Sequence, residues 1–435
     1  MYKKAWLLCL LASTILAVPD KIDSFVLQNG LKVVVLQDHR SPIVNVQVWY
    51  KVGSRSEENG TTGISHALEH MMFRGTSKVS SYKDVIADLG GQSNAFTSRD
   101  FTVYHQTVPK EGLDRVLELE ADRMVNLKIN HDLFVKEMAA VLEERRMRVD
   151  DAPLGLAMEQ FTALAFLSNP YHHPIIGWEG DIKQYTVEDA QIWYKKWYMP
   201  NNAIVVVSGD VDLGEAKNLV SKRFSLLENR QLAKEKYKSS QPIIANKKMY
   251  VTQPVEGDRL VFGYMSPVFN NLDKQDQWHM YALDVLSALL VKNIEDDLQQ
   301  KQRMITDSSV SYNGLSVHDD LFMITLTLAE NKKLTAVEQA ITNLITRLKL
   351  KPVSKSKLDM VKAQVAANYV YSKDSLNAKA FTLGMLSALD LPLDFIDKYV
   401  ENINNVTAKQ VQEVAQLYFK KNVSMYVKAK GSRLL

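Results

Sequence analysis

Two histidines and a glutamate between residues 66 and 70 carry the clearest chemical signal in the chain. His66, Glu69 and His70 form the pattern H-x-x-E-H. On an α-helix, residues four apart lie on one face, about 5–6 Å from each other, so both imidazoles can face one metal ion. Zinc suits such ligands, with a third from elsewhere and an open fourth position for water. Glu69 could accept a proton from that water, as in metallopeptidases that carry this spacing.

The surrounding residues predict that the motif lies on a helix with one buried face. Residues 59–63 read NGTTG, which is typical of a loop, and we expect a helix from near Thr62 with Thr62 or Ser65 as its cap. The apolar side of this helix consists of Ala67, Leu68, Met71, Met72 and Phe73. This context disfavours the alternative, a helix with two surface histidines and an unrelated glutamate.

A third ligand is expected from a separate helix. Residues 131–149 have a strongly helical composition and contain Glu137, Glu143 and Glu144. Glu137 and Glu144 are two turns apart and share a face, whereas Glu143 is rotated by about 100°. Spacing therefore favours the pair Glu137 and Glu144, one as a ligand and one as its support. The alternative is an acidic surface stripe balanced by the arginines of residues 145–148.

The first 17 residues predict an export signal. Lys3 and Lys4 precede an apolar run from residue 5 to 16, and Ala17 offers a cleavage point. That run is short for a membrane span, and no other stretch approaches 18 apolar residues, so we expect no stable span in the mature chain. The only cysteine, Cys9, lies inside the signal, which excludes a thiolate ligand. We expect an exported protein, periplasmic or secreted beyond the cell.

Composition limits the remaining possibilities. A chain of 435 residues with 46% hydrophobic residues can build two or more domains. Its net charge of +3 falls to about +1 without Lys3 and Lys4, and it has no basic block, so nothing indicates binding to nucleic acid.

The two halves of the chain share a pattern. A predicted helix from Thr186 leads into a buried strand at residues 202–207, and 221 residues later a helix from Thr407 leads into a strand at residues 422–427. Predicted strands at residues 45–52 and 260–265 precede a helix in each half. This order indicates a duplication into two α+β domains.

The polar, lysine-rich residues 229–241 suit a linker between the two domains. We expect a first domain at residues 18–228 and a second at residues 242–435, with metal ligands only in the first.

Four stretches of the chain form a recognisable set of motifs: Gly63–His70, Gly90–Ala95, Asp100–His105 and Glu137–Glu144. Together they resemble the pitrilysin/insulinase-type zinc metallopeptidases (inverzincins). Within this family, the chain is most similar to the short bacterial members related to the mitochondrial processing peptidase. The resemblance, which runs from about residue 24 to the end, implies an α+β fold of two duplicated domains. Each domain would have a mostly antiparallel sheet with helices packed on one face.

The resemblance also implies roles for the motif residues. His66, His70 and Glu144 would bind one Zn²⁺ per chain, Glu69 would be the general base, and Glu137 would support the site. The activity would be that of an endopeptidase acting on extended or unfolded peptides.

Asn94 and Ala95 would contact substrate by the same resemblance. They follow Gly90 and Gly91 in a segment that forms an exposed sheet edge in relatives, where the peptide lies as an added strand. Backbone pairing of this kind recognises an extended conformation more than a sequence.

The second half departs from the family pattern. Active relatives usually carry an Arg and a Tyr, two residues apart after a glycine-rich turn, which stabilise the oxyanion. Asn293 and Glu295 occupy these positions here. Losing one such donor typically costs about 10²–10³ in rate. We therefore expect a zinc-bearing subunit whose homologous partner supplies the Arg/Tyr pair in a heterodimer, with a homodimer as the alternative.

Two further hypotheses are a non-catalytic assembly subunit and a module that binds extended peptides without cutting them. The intact H-x-x-E-H motif favours the enzyme. His172 and His173 are not expected to form a second metal pair, because adjacent side chains of an extended segment point to opposite sides.

Overall fold

The computed structural model describes residues 21–232, 243, 245–371 and 375–430. We call residues 21–232 the first half and residues 243–430 the second half. The predicted export signal at residues 1–17 lies outside the described residues, as do residues 233–241 of the predicted linker.

Eleven strands are present in the described ranges: β1 (Lys21–Val26), β2 (Lys32–Gln37), β3 (Ile43–Tyr50), β4 (Gln92–Thr97), β5 (Thr102–Pro109), β6 (Ala203–Gly209), β7 (Lys247–Gln253), β8 (Arg259–Ser266), β9 (Ile305–Ser311), β10 (Asp320–Leu328) and β11 (Val423–Ala429).

The α-helices of these ranges are α1 (Ile64–Met71), α2 (Tyr82–Asp88), α3 (Leu113–Asn126), α4 (His131–Arg145), α5 (Gly155–Ala165), α6 (Glu179–Ile182), α7 (Val187–Trp197), α8 (Leu213–Phe224), α9 (Trp278–Ile294), α10 (Leu334–Leu350), α11 (Lys355–Tyr371), α12 (Leu376–Ala388), α13 (Phe395–Asn405) and α14 (Ala408–Tyr418). A π-helical turn follows α4 at Arg146–Asp150, and another follows α9 at Glu295–Lys301. Among the residues described, no helix combines the length and the apolar character needed to cross a bilayer.

Each half contains one sheet, and the two sheets share a topology. The first has the strand order β1-β2-β6-β3-β5-β4 and the second the order β7-β11-β8-β10-β9. One pair in each sheet is parallel, β2 with β6 and β7 with β11, and the other pairs are antiparallel. The first sheet differs only by the extra edge strand β1. The predicted duplicated α+β fold with mostly antiparallel sheets is confirmed.

In both halves, the helix that precedes an inner strand of the sheet is capped at its N-terminus in the same way. Thr186 caps α7 in a capping box with Asp189, and Thr407 caps α14 in a capping box with Gln410. In such a box the threonine and the side chain three residues later satisfy backbone N–H groups that a helix start leaves unpaired. The sequence echo at a distance of 221 residues therefore corresponds to a repeated local structure.

The inner strand β6 is buried on both faces. Val205 and Val207 contact the core formed with the helices of the first half, whereas Ile204 and Val206 contact Ala380 and Leu383 of α12. Helix α12 belongs to the second half, so one sheet face is covered by a helix from beyond the linker. This explains the uninterrupted apolar run of β6, because a strand buried on both faces has no polar side.

Helix α5 makes the reciprocal contact on the second sheet. It lies in the first half, and Ala157, Phe161 and Ala165 pack against Val423 and Met425 of β11. Each half thus contributes one helix to the sheet of the other half, an exchange of α12 and α5. Sequence analysis predicted helices on one face of each sheet and did not predict the exchanged helices on the opposite faces.

Gly384 provides a test of the contact between α12 and the first sheet. A Cβ atom at this position would lie 2.2 Å from the Trp49 ring. We expect Gly384→Ala to lower the free energy of unfolding by about 1–3 kcal/mol, because a tightly packed contact must open. Urea unfolding of the full chain measures the change.

Gly214→Ala in α8 is the matched control, because a Cβ there has no atom within 4 Å. Replacing this helical glycine should leave stability unchanged or raise it by up to about 1 kcal/mol. Equal behaviour of the two variants would contradict the close packing of α12.

Candidate active site

The start of α1 is set by a buried glutamate. The helix begins after Gly63, whose φ is +86°, and neither Thr62 nor Ser65 caps it. Instead, Glu57 accepts hydrogen bonds from the backbone N–H groups of Gly63 (2.5 Å) and Ser65 (2.9 Å). The Thr62 hydroxyl donates to Asp181 (2.7 Å). The predicted cap was wrong, because the capping carboxylate comes from across the preceding loop and not from the position next to the helix.

The structure brings together His66, His70 and Glu144. The Nε2 atoms of His66 and His70 lie 3.7 Å and 3.2 Å from Glu144 Oε2, and the two imidazole rings have centroids 4.7 Å apart. The histidines share one face of α1, and α4 packs against that helix and places Glu144 opposite them. Glu143 points away from this face and pairs with Arg146 (2.6 Å), as the helical spacing of the glutamates indicated.

These three side chains fit a metal ion such as zinc. Their ligand atoms all lie within 4.8 Å of one another, and they form the only such group of three among the described residues. Bonds of about 2.0–2.2 Å in a tetrahedral arrangement would separate ligand atoms by about 3.3–3.6 Å, close to the observed distances. Burial lowers the pKa of His66 to about 3, with smaller contributions from His70 and Arg148. The imidazole is therefore neutral, which is the form that binds metals.

Glu69 lies on the same helix but does not belong to this group of three. Its Oε2 atom accepts a hydrogen bond from the Thr97 hydroxyl of β4 (2.7 Å). Burial, with a smaller contribution from the negative charge of Glu144, raises the pKa of Glu69 to about 7 against the lowering effects of the Thr97 hydrogen bond and of Arg148. A carboxyl group with a pKa in this range can both accept and return a proton near neutral pH.

Two arginines hold the carboxylates of α4. Glu137 directs Oε2 towards His70 Nδ1 (3.7 Å) and Oε1 towards Arg74 Nη2 (2.5 Å). Glu144 directs its second oxygen, Oε1, towards Arg148 Nη1 (2.7 Å). Each glutamate therefore turns one oxygen to the histidines and the other to a guanidinium group. The ion pairs restrain the orientation of both carboxylates.

The site opens into a cavity of about 1130 Å³. Strand β4 forms one wall, with Asn94, Ala95 and Thr97 among the lining residues. This strand is the last of the first sheet and pairs only with β5, so its other side is an open edge. The backbone N–H of Ala95 donates to the Asn94 side chain (2.9 Å). Both residues predicted to contact substrate thus lie at the edge strand beside the metal-binding face.

Asn293 and Glu295 do not line this cavity, whose lining residues all lie in the first half. Asn293 is near the end of α9, and Glu295 begins the π-helical turn. His172 and His173 do line the cavity, with ring centroids 4.0 Å apart. The expectation that they point to opposite sides was wrong, because residues 170–172 form a 3₁₀ turn and not an extended segment.

Sequence analysis gave no role in the site to four residues that shape it. They are Glu57, Arg74, Thr97 and Arg148. Arg148 lies four residues after Glu144, a spacing that could have suggested their ion pair. Glu57 and Thr97 have no such local signal, since each acts on α1 from a different loop or strand.

The fold and the site together define a class of protein: a duplicated α+β chain with the donor set of a metallopeptidase in its first half. Comparison with known families agrees. The model described as insulinase (peptidase family M16) matches residues 32–178, and the model described as the peptidase M16 inactive domain matches residues 184–365.

Individual relatives cover most of the chain. The zinc protease PqqE of Helicobacter pylori is 30% identical over 94% of this chain and 92% of its own length. A probable mitochondrial-processing peptidase subunit beta of Arabidopsis thaliana is 32% identical over 46% of this chain and 38% of that protein. A solved structure of a protease from Helicobacter pylori has a TM-score of 0.86 at 29% identity and covers 94% of this chain and all of that one. The chain belongs to the insulinase (M16) family of peptidases, which confirms the resemblance found in the sequence.

The role of Glu57 as the buried cap of α1 can be tested by comparing the stabilities of two variants. Glu57→Ala would leave the N–H groups of Gly63 and Ser65 without their acceptor in a buried region, which typically costs about 1–3 kcal/mol. We expect Glu57→Gln, which keeps one carbonyl acceptor, to cost less. Thermal and urea unfolding of the full chain measure both changes.

Asn130→Ala is the matched control for this cap. Asn130 accepts from the backbone N–H of Leu133 at the exposed start of α4, and losing such a cap typically costs about 1 kcal/mol. If Glu57→Ala is no less stable than Asn130→Ala, the buried cap contributes no more to stability than the exposed one.

Proposed function

We propose that this chain is an exported, zinc-dependent endopeptidase that hydrolyses extended or unfolded peptides as the zinc-bearing subunit of a dimer. The observation that carries the proposal is the convergence of His66, His70 and Glu144 with Glu69 beside them. Relatives named as zinc proteases support the choice of metal and of reaction.

His66, His70 and Glu144 would hold one zinc ion per chain. Zinc bound by two histidines and a carboxylate supplies a Lewis acid that polarises the scissile carbonyl and brings the pKa of water near 7. Glu137 would support His70 from the side opposite Glu144, since it faces Nδ1 while Glu144 faces Nε2. Such a contact fixes the orientation of a ligating imidazole.

Glu69 is the general base of the proposed reaction. Its carboxylate accepts the proton of the attacking water and later delivers it to the amine that leaves when the peptide bond breaks. The Thr97 hydroxyl bonds to Oε2, which leaves Oε1 for the water. Burial of the carboxyl group keeps its proton affinity high enough for both transfers.

The peptide substrate would lie along the open edge of β4. An extended chain can pair there by backbone hydrogen bonds, and it would compete with the Asn94 side chain for the Ala95 N–H. Recognition of this kind requires an unfolded or flexible segment, because the backbone groups of folded proteins are already paired. Asn94 and Ala95 are the residues that we assign to this contact.

The proposal of a dimer rests on two residues of the second half. Asn293 and Glu295 replace the arginine and tyrosine expected from the family pattern, and a carboxylate cannot donate a hydrogen bond to an oxyanion. A homologous partner chain carrying the Arg/Tyr pair would supply these donors. The basic and apolar leader at residues 1–17 supports export, with the periplasm as the destination.

Glu69→Gln tests the catalytic role. The amide keeps the shape of the side chain but cannot accept the proton, so we expect peptide cleavage to fall by about 10²–10⁴ while zinc remains bound. Activity on a mixed unfolded-peptide library and metal content are measured on the same samples. Glu143→Gln is the control, since that exposed carboxylate points away from the site. Unchanged activity in Glu69→Gln would favour a non-catalytic peptide-binding or assembly subunit.

The purified mature chain tests the division of the site between two subunits. We expect about one zinc per chain but weak peptide cleavage, because the missing oxyanion donors typically cost about 10²–10³ in rate. Adding a metal-free homologue that carries the Arg/Tyr pair should restore cleavage. Full, chelator-sensitive activity of the chain alone would contradict the shared site.

A further inference from the structure

Helix α5 contacts both the second sheet and the metal-binding cavity. One face packs Phe161 against the second sheet, where its ring lies 3.2 Å from the position a Gly263 Cβ would take. The other face places Met158, Glu159 and Thr162 in the cavity wall. A shift of the second sheet would therefore move this helix, and with it Glu159.

Glu159 is joined to α4 by a buried ion pair. Arg145 donates from Nη1 to Glu159 Oε2 (2.7 Å) and from Nη2 to Oε1 (3.0 Å), a bidentate arrangement. The side chains of Arg145 and Glu159 are only 4% and 9% exposed. Arg145 directly follows Glu144 on α4, so a change in its position acts on the backbone of the third metal ligand.

The same guanidinium group also binds the segment that packs against the start of α1, the helix that carries the histidines. Arg145 Nη1 donates to the carbonyl of Gly177 (2.7 Å). Gly177 packs against Gly63 at the start of α1 so closely that a Cβ on Gly63 would lie 2.6 Å from the Gly177 Cα. A second ion pair, with Asp150 at 3.3 Å, fixes Arg145 to the turn after α4. One buried side chain thus links α4, α5 and the segment that supports α1.

We propose that Arg145 is a positioning residue for the metal site and that, through Glu159 and α5, it makes metal affinity depend on the packing of the second sheet. The proposal rests on the zinc site of the proposed function, and it concerns affinity and ligand geometry, not the chemical step. Polar contacts behind metal ligands typically change metal affinity by about 10–100-fold when removed. Glu159 acts one link further away, through the Arg145 side chain and the peptide bond between Arg145 and Glu144.

The chain provides matched controls for both contacts. Glu120 and Arg123 form another buried bidentate pair, within α3, with side chains 0% and 1% exposed. Helix α12 makes the reciprocal contact between the halves, but its Leu383 packs on the face of the first sheet remote from α1 and α4. None of these three control residues lines the metal-binding cavity, so the controls reproduce a loss of buried charge pairing or of packing between halves without changing a residue of the cavity wall.

The test measures zinc affinity of the folded full-length mature chain by competition with a chromogenic chelator, below the unfolding temperature of every variant. Cobalt replaces zinc in parallel, because its visible absorption reports ligand geometry. We expect Glu159→Gln to weaken zinc binding by about tenfold or more and to alter the cobalt spectrum, whereas Glu120→Gln lowers stability without either change. Arg145→Lys keeps the positive charge but loses the bidentate guanidinium group. We expect it to weaken zinc binding and alter the cobalt spectrum as Glu159→Gln does.

Phe161→Leu removes no charge and lies on the far face of α5. It should weaken zinc binding in the same direction, whereas Leu383→Val should not. Equal zinc affinities for Glu159→Gln and Glu120→Gln would overturn the role of Arg145, and equal affinities for Phe161→Leu and Leu383→Val would overturn the link to the second sheet. A parent chain that binds no zinc would instead refute the proposed function.

Discussion

The packing of α1 against α4 is the constraint on which the site depends. It gathers two imidazoles and three carboxylates in a largely buried place, where charge is costly unless it is paired. The structure offsets this cost by giving each carboxylate a donor of its own: Thr97 to Glu69, Arg74 to Glu137 and Arg148 to Glu144. Because each arginine engages one oxygen, the second oxygens of Glu137 and Glu144 remain directed at the histidines. The donors therefore stabilise the cluster and orient it at once.

The duplicated fold gives the two halves different tasks. Each sheet is covered on one face by helices of its own half and on the other by a helix of the opposite half, α12 on the first sheet and α5 on the second. Neither sheet can bury both faces without the other half, so the halves depend on each other for stability. The cavity, however, is lined by residues of the first half alone. The second half contacts the cavity wall from behind, through packing against α5 and through the ion pair of Asp320 with Arg99.

Sequence patterns predicted what depends on local spacing and missed what depends on contacts between distant segments. Helical phase was enough to place both histidines on one face, and to set Glu144 apart from the outward-facing Glu143. The echo between residues 186 and 407 anticipated two sheets of one topology. The cap by Glu57 and the exchange of α5 and α12 depend on tertiary structure, and no periodicity encodes them. The side-chain directions of His172 and His173 were predicted wrongly, because a three-residue 3₁₀ turn replaces the alternation of an extended chain.

Metal binding and catalysis have separate structural requirements in this chain. The three candidate metal ligands all belong to the first half, on α1 and α4. Stabilising a tetrahedral intermediate requires hydrogen-bond donors aimed at the oxyanion. At the two positions where the family pattern has Arg and Tyr as donors, the second half has Asn293 and Glu295. Among the arginines of the cavity wall, Arg74 and Arg148 are already engaged by the glutamates of α4. In the shared site that we propose, this subunit would supply the metal ligands and its partner the oxyanion donors.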